Sequence, residues 1–301
     1  MQFENKNAPM SEWNLPKRFK SESGEVAYNV LGEGPPVVLV HGTPSWSYLW
    51  RHVAKRLMSD WSVYVYDLVG YGCSERFESQ DVSIRNQAKI LRQLLGYWQL
   101  QDTVVYIAGH DIGGAIVLAA NLLEGCHFAK IALIDAVILS PWITPTTQHQ
   151  QKYLECYRTM PIHIYEQVAL AHLRTAFYVD PDEHTLKTYF KQWQGMTGQA
   201  AWFRKVEQFD ESVTDQMETM LPGLQIPVRL LWGEHDTWLT PDVAKRAQVT
   251  IPGSRLEFIP DAGHFSPEDN PIVVSKELIS FFNATYRPKN SAKENRITKG
   301  K

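Results

Sequence analysis

The sequence predicts an α/β protein built on a mostly parallel, doubly wound sheet, and three patterns predict it. Short apolar runs recur between Gly, Pro and Asp punctuation at residues 37–40, 62–66, 104–108, 131–134, 228–232 and 256–259. Nearly continuous apolar strands of this kind are covered on both faces, as in a parallel sheet. Between them, residues 48–57, 83–95, 112–123, 241–249 and 271–282 carry apolar side chains at helical spacings of three and four. From residue 139 to 220 the rhythm changes to Trp, Tyr, Gln and His in helical spacing, with breaks at Pro161, Pro181 and Gly195 and no strand-like run.

In chain order, Ser23 and Gly24 form a turn between Phe19 and the alternating stretch 26–30, which reads as an antiparallel hairpin added at a sheet edge. The parallel runs and their helices follow. Residues 139–220 then read as an all-helical cap over the strand ends, where open α/β sheets bind ligands. Residues 1–138 and 221–287 form the core, and residues 288–301 a solvated basic tail. From Arg287 onward six basic residues meet only Glu294, so residues 287–301 carry +5, and a total charge of −3 leaves −8 on the rest. That balance excludes a broadly basic nucleic-acid binder. It also favours a neutral, apolar substrate unless the cavity itself is locally positive.

No window approaches the roughly 20 apolar residues that span a bilayer, and the first residues lack an apolar segment behind a basic leader. Cys73, Cys126 and Cys156 are odd in number and contain no CxxC pair, which suggests neither a disulfide framework nor a zinc site. A cytoplasmic protein without a membrane partner is the expectation. Its oligomeric state is not readable.

The most informative stretch is Gly109, His110, Asp111, Ile112, Gly113, Gly114, where a strand runs into an apolar helix. Small residues around a central side chain at such a junction form a nucleophile elbow, which stands that side chain up at the sheet edge. Here it is Asp111, which could equally cap the helix. Two later segments favour chemistry. Asp236 follows the strand at 228–232, and His264 follows the strand at 256–259. Nucleophile, acid and then His, each on a loop after a strand, is a hydrolytic triad in its chain order. His41, Gly42 and Thr43 follow the first parallel run, so the backbone N–H groups of Thr43 and Ile112 are the expected oxyanion-hole donors. His41, His110 and His235 read as structural neighbours.

These stretches resemble the α/β-hydrolase superfamily over residues 17–285, and within it the haloalkane dehalogenase and epoxide hydrolase group. The resemblance rests on HGTPSWSYLWRHV, DLVGYGCSE, GHDIGG, LWGEHD and GHFSPEDNP. It implies a core domain with a helical cap, Asp111 as nucleophile, His264 as base and Asp236 as its orienting acid. Asp135 competes for the last role, because some members place the acid there. A carboxylate nucleophile attacks saturated carbon to give an ester that His264-activated water then opens. The expected partners are therefore a small apolar halide or epoxide and water, with no metal or organic cofactor.

The chain departs from the group where leaving groups are held. Dehalogenases carry Trp after the nucleophile, and fluoroacetate dehalogenases carry Arg; this chain has Ile112. Epoxide hydrolases place a donor Tyr in a Trp, Tyr, Arg sequence, matched here by Trp202, Phe203, Arg204 without the hydroxyl. Tyr178 is the favoured substitute among the cap tyrosines. Trp46, Trp142 and Trp238, near predicted loop mouths, either supply an indole N–H or line an apolar pocket. Two alternatives accompany the covalent hydrolase: noncovalent acid/base chemistry by the same residues, as in a lyase, cyclase or C–C hydrolase, and a non-catalytic ligand-binding protein.

Overall fold

The computed structural model describes residues 13–284. The basic tail expected at 288–301 lies outside them. Eight strands form one sheet in the order β1-β2-β4-β3-β5-β6-β7-β8. They are β1 (Lys17–Ser21), β2 (Gly24–Leu31), β3 (Pro36–Val40), β4 (Ser62–Tyr66), β5 (Tyr106–His110), β6 (Lys130–Ile134), β7 (Val228–Gly233) and β8 (Arg255–Ile259). The first two form the expected edge hairpin, and β2 also pairs antiparallel with β4. All other pairings are parallel.

Each predicted run becomes a strand, with one displacement. The run expected at 104–108 becomes β5 two residues later, because Val104 is 63% exposed while His110 still pairs with Ile134. The strand therefore continues up to the residue before Asp111. The apolar runs alternate between two cores. Val38 and Val40 face one, with Ile84, Leu91 and Ile116, while Val37 and Leu39 face the other, with Val53, Leu57 and Leu278.

The helices of the second core are α1 (Arg51–Leu57) and, at the far end of the chain, Pro271–Asn283; those of the first include α2 (Ile84–Tyr97) and α3 (Ile112–Leu122). Buried residues run all round α3, as expected of a helix enclosed on every side. Between β6 and β7 the secondary structure of the described residues is entirely helical: α4 (Pro145–Lys152), α5 (Leu154–Arg158), α6 (Ile162–Arg174), α7 (Glu183–Phe190), α8 (Gly195–Gln208), α9 (Ser212–Glu218) and short 3₁₀ turns. Three more helices follow, α10 (Pro241–Thr250), α11 (Ser266–Asp269) and α12, the Pro271–Asn283 helix already placed.

Polar side chains fasten this helical segment to the loops beyond β3 and β4. Trp193 Nε1 donates to the Pro44 carbonyl at 2.8 Å, and Gln192 Oε1 accepts from the Gly72 N–H at 2.7 Å. Gln208 accepts from the Val82 N–H and donates to the Gln80 carbonyl. Because these bonds satisfy backbone groups of buried loops, they fix the segment over the carboxyl edge of the sheet. No helix among the described residues is long and apolar enough to cross a membrane.

Candidate active site

Asp111 stands between β5 and α3 at φ 54° and ψ −126°, a backbone conformation rarely adopted by a residue with a side chain. Two glycines allow this turn to pack against the loop after β3. A Cβ at Gly113 would lie 2.5 Å from the carbonyl oxygens of Val40 and His41, and one at Gly42 would collide with Asp111 itself. The Asp111 side chain makes no capping bond to its helix, which removes the capping alternative.

The Thr43 N–H donates to Asp111 Oδ1 at 2.6 Å. The other oxygen, Oδ2, stands 3.3 Å from His264 Nε2. On the far side of the ring, His264 Nδ1 lies 2.9 Å from Asp236 Oδ2, while Asp236 Oδ1 accepts from the N–H groups of Trp238 and Leu239. Trp238 stacks on the His264 ring at 4.9 Å, so the imidazole is held both edge-on and face-on. All three expected triad residues thus come together.

Burial alone would drive His264 toward neutrality, but the charges of Asp236 and Asp111 outweigh it and raise the imidazole well above its usual range. Burial likewise opposes the Asp111 charge. The bond and charge of His264, then His110 and the Ile112 N–H, overcome it and hold the carboxyl below its usual value. Asp135 does not reach His264. It accepts from the Gly233 N–H at 2.6 Å and from the Ser266 hydroxyl, and burial beside Asp236 raises it well above the ordinary carboxylate range.

The neighbouring histidines make backbone contacts or stack. His41 Nε2 accepts from the Leu68 N–H at 2.9 Å, and burial lowers its pKa to about 4. His110, lowered to about 3 by burial, meets the His264 carbonyl at 2.8 Å. His235 stacks on Tyr178.

A cavity of about 40 Å³ opens above Asp111, lined by Thr43, Trp142, His172, Trp202, Lys205 and Trp238 among others. That is room for about three waters, given that one needs roughly 10–15 Å³ by this measure. Of the expected pocket residues Trp142 and Trp238 line it, and their indole N–H groups are already bonded to Thr214 Oγ1 and Thr175 Oγ1. Trp46 stacks on Tyr48 outside the cavity. Tyr178 is 42% exposed. Phe203 is buried against Tyr157 and Tyr165, on another face of α8 from Trp202. Among the described residues no tyrosine lines the cavity; the hydroxyls of Tyr165 and Tyr189 are bonded to the Trp193 carbonyl and to Glu268, while that of Tyr71, near Thr43, is buried without a partner.

Lys205 was not foreseen. The signal was present: Trp202, Lys205, Val206 and Phe209 recur at helical spacing, so a lysine interrupts an otherwise apolar stripe.

The alpha/beta hydrolase family model matches residues 37–277. The chain is an α/β hydrolase. As a member of that family it resembles a solved alpha/beta hydrolase fold protein from Burkholderia ambifaria, 31% identical, covering 89% of this chain and 98% of that one with a TM-score of 0.85. Haloalkane dehalogenase 2 of Mycobacterium tuberculosis is 25% identical over 280 residues, covering 88% of this hydrolase and 93% of the relative. The haloalkane dehalogenase DatA of Agrobacterium tumefaciens shares the fold, with a TM-score of 0.73 at 21% identity over 88% of this chain and 94% of DatA.

Proposed function

We propose that this hydrolase cleaves a bond from saturated carbon to a halide in a small organic molecule, through a covalent ester on Asp111. The observation that carries the reading is the unequal setting of the two Asp111 oxygens. Oδ1 is held by the Thr43 N–H, and Oδ2 faces His264 and the cavity. Oδ2 attacks the carbon; the carbon–halogen electron pair departs with the halide, leaving an alkyl ester whose carbonyl oxygen is Oδ1.

Esterification removes the Asp111 charge that helped hold the His264 proton. His264, still oriented by Asp236, then returns toward its ordinary range and can accept a proton from water. The water oxygen bonds to Cγ, negative charge collects on Oδ1 beside the Thr43 and Ile112 N–H groups, and the Cγ–Oδ2 bond breaks. The alcohol leaves with the original Oδ2, and Asp111 keeps the water oxygen. Overall, halide and water give alcohol and acid. The helical segment over the strand ends acts as the cap that keeps bulk water out.

A halide is favoured over an epoxide because, among the described residues that line the cavity, none is a tyrosine that could protonate an opening ring oxygen, and the Trp202 indole N–H is bonded to no acceptor among the described residues. Incubating His264→Gln with a panel of short bromoalkanes and 2-bromo acids tests the reading. An adduct of the alkyl mass, mapped to the peptide containing Asp111, is expected, together with entry of ¹⁸O from labelled water into Asp111 in the unmodified enzyme. Turnover with neither mark would overturn the covalent route and point to noncovalent acid/base chemistry.

A further inference from the structure

The two buried lysines among the described residues are treated very differently. Lys130 Nζ donates to the carbonyl oxygens of Phe281, Phe282 and Ala284 at 2.8, 3.0 and 2.5 Å, so its charge is fully solvated by the end of α12. Lys205 is equally buried, at 4% exposure, yet among the described residues no acceptor is bonded to its amine and no carboxylate stands within 4.0 Å. It lies instead over the Trp202 ring, 3.8 Å from the centroid, with Trp193 and Phe209 at 5.1 and 5.8 Å.

An aromatic face offsets only part of the cost of burying an ammonium group. A methionine would pack against the same rings without that cost. Lys205 lines the cavity that contains Asp111, so its unused bonding capacity belongs to the same chamber. Two further polar side chains on that wall, Gln150 and Trp202, also lack acceptors among the described residues. His172 completes this side, kept neutral by burial and by the charges of Lys205 and His264.

We propose that Lys205, seated on Trp202, is the anion-binding residue of this cavity and takes a compact monoanion that the substrate carries or releases. Such an anion is either the departing halide or a carboxylate borne by the substrate; both are small acceptors that fit a chamber of this size. This rests on the reading of Asp111 as nucleophile only in its link to turnover, since the anion site stands on Lys205 alone. On this proposal an anionic group would be met inside the cavity despite the overall negative charge, an alternative to the neutral substrate that the overall charge favours.

The test is calorimetric titration of the full chain with sodium bromide and, separately, sodium acetate, at an ionic strength fixed with sodium sulfate. Lys205→Met and Lys205→Arg are compared, with near-UV circular dichroism reporting that each is folded. The unmodified protein should saturate with at least one anion. Lys205→Met should bind about ten- to hundredfold more weakly, the loss expected for one buried contact to a charged group, and Lys205→Arg should recover part of the difference. Binding of bromide alone assigns the site to the leaving halide, and binding of acetate assigns it to a substrate carboxylate. Saturation by neither anion, or equal affinity in Lys205→Met, overturns the proposal. Lys205-dependent anion binding without a trapped adduct in His264→Gln would sink the covalent reaction alone. An adduct without such binding would sink this inference alone.

Discussion

Asp135 and Asp236 follow adjacent strands, and both carboxylates are buried, yet only Asp236 reaches the His264 ring, at 2.9 Å. The Asp135 side chain instead joins the end of β7 to α11 through Gly233 and Ser266. Two positions that compete on paper for one role are therefore divided between holding the His264 ring and closing a strand edge.

Asp236→Asn should lower turnover roughly a thousandfold or more, because an amide favours the wrong imidazole tautomer. Asp135→Asn should cost less than about tenfold, since its contacts are to a backbone amide and a hydroxyl. Steady-state rates on any accepted substrate check both. Comparable losses in the two variants would contradict the division.

Asp135 also predicts a pH effect on stability. Its folded value lies well above 3.8, so the folded chain keeps a proton that the unfolded chain releases once the pH passes 3.8. The stabilisation is whole below that point and is lost as the pH rises toward the folded value. Asp135→Asn, permanently neutral, removes the loss. Its Tm relative to the unmodified protein should climb with pH, as followed by thermal melts at successive pH values.

Lys205 works in the opposite sense. Burial lowers its pKa from 10.5 to about 7, against the pull of Asp111, with His172 and His264 as the other titrating groups nearby. A depressed base contributes stability above its unfolded value and loses it as the pH falls through the folded one. Lys205→Met should therefore melt several degrees higher than the unmodified protein at pH 6, with the advantage shrinking toward pH 10.5. A variant that gains stability while losing anion affinity would show stability given up for a working site.

A third charged group concerns the join between helical segment and core. Arg51 and Glu268, each 12% exposed, form a bidentate pair, and Tyr189 of α7 donates to the same carboxylate at 2.6 Å. Glu268→Leu should destabilise by about 3–5 kcal/mol, because it leaves the guanidinium buried and unpaired. Arg51→Met combined with Glu268→Leu should cost less than the two single changes added together. Urea denaturation of the three variants measures the coupling.

Much of this was legible in the sequence, for identifiable reasons. Apolar runs bounded by turn residues must be covered on both faces, which located the strands; the chain order of Asp111, Asp236 and His264 singled out three residues that the fold brings together. The cavity wall was harder. Along α8, Trp202 and Phe203 are adjacent and both aromatic, and only the helix phase decides that Trp202 faces the cavity while Phe203 packs against Tyr157 and Tyr165. Aromatic residues surround that helix on several sides, so periodicity does not single out one face. Tyr178 had a further obstacle, since its ring partner, His235, comes from a loop far along the chain.

That Asp111 and Lys205 share one chamber bears on the order of events in the proposed reaction. The alkyl group, the departed anion and the attacking water all need the same space beside Asp111. On the proposed reaction the anion must vacate first, and water follows into the emptied place. Anion departure is then the toll gate of the cycle: a high concentration of the product anion would strand the enzyme as its ester, halted midway with the alcohol still unmade.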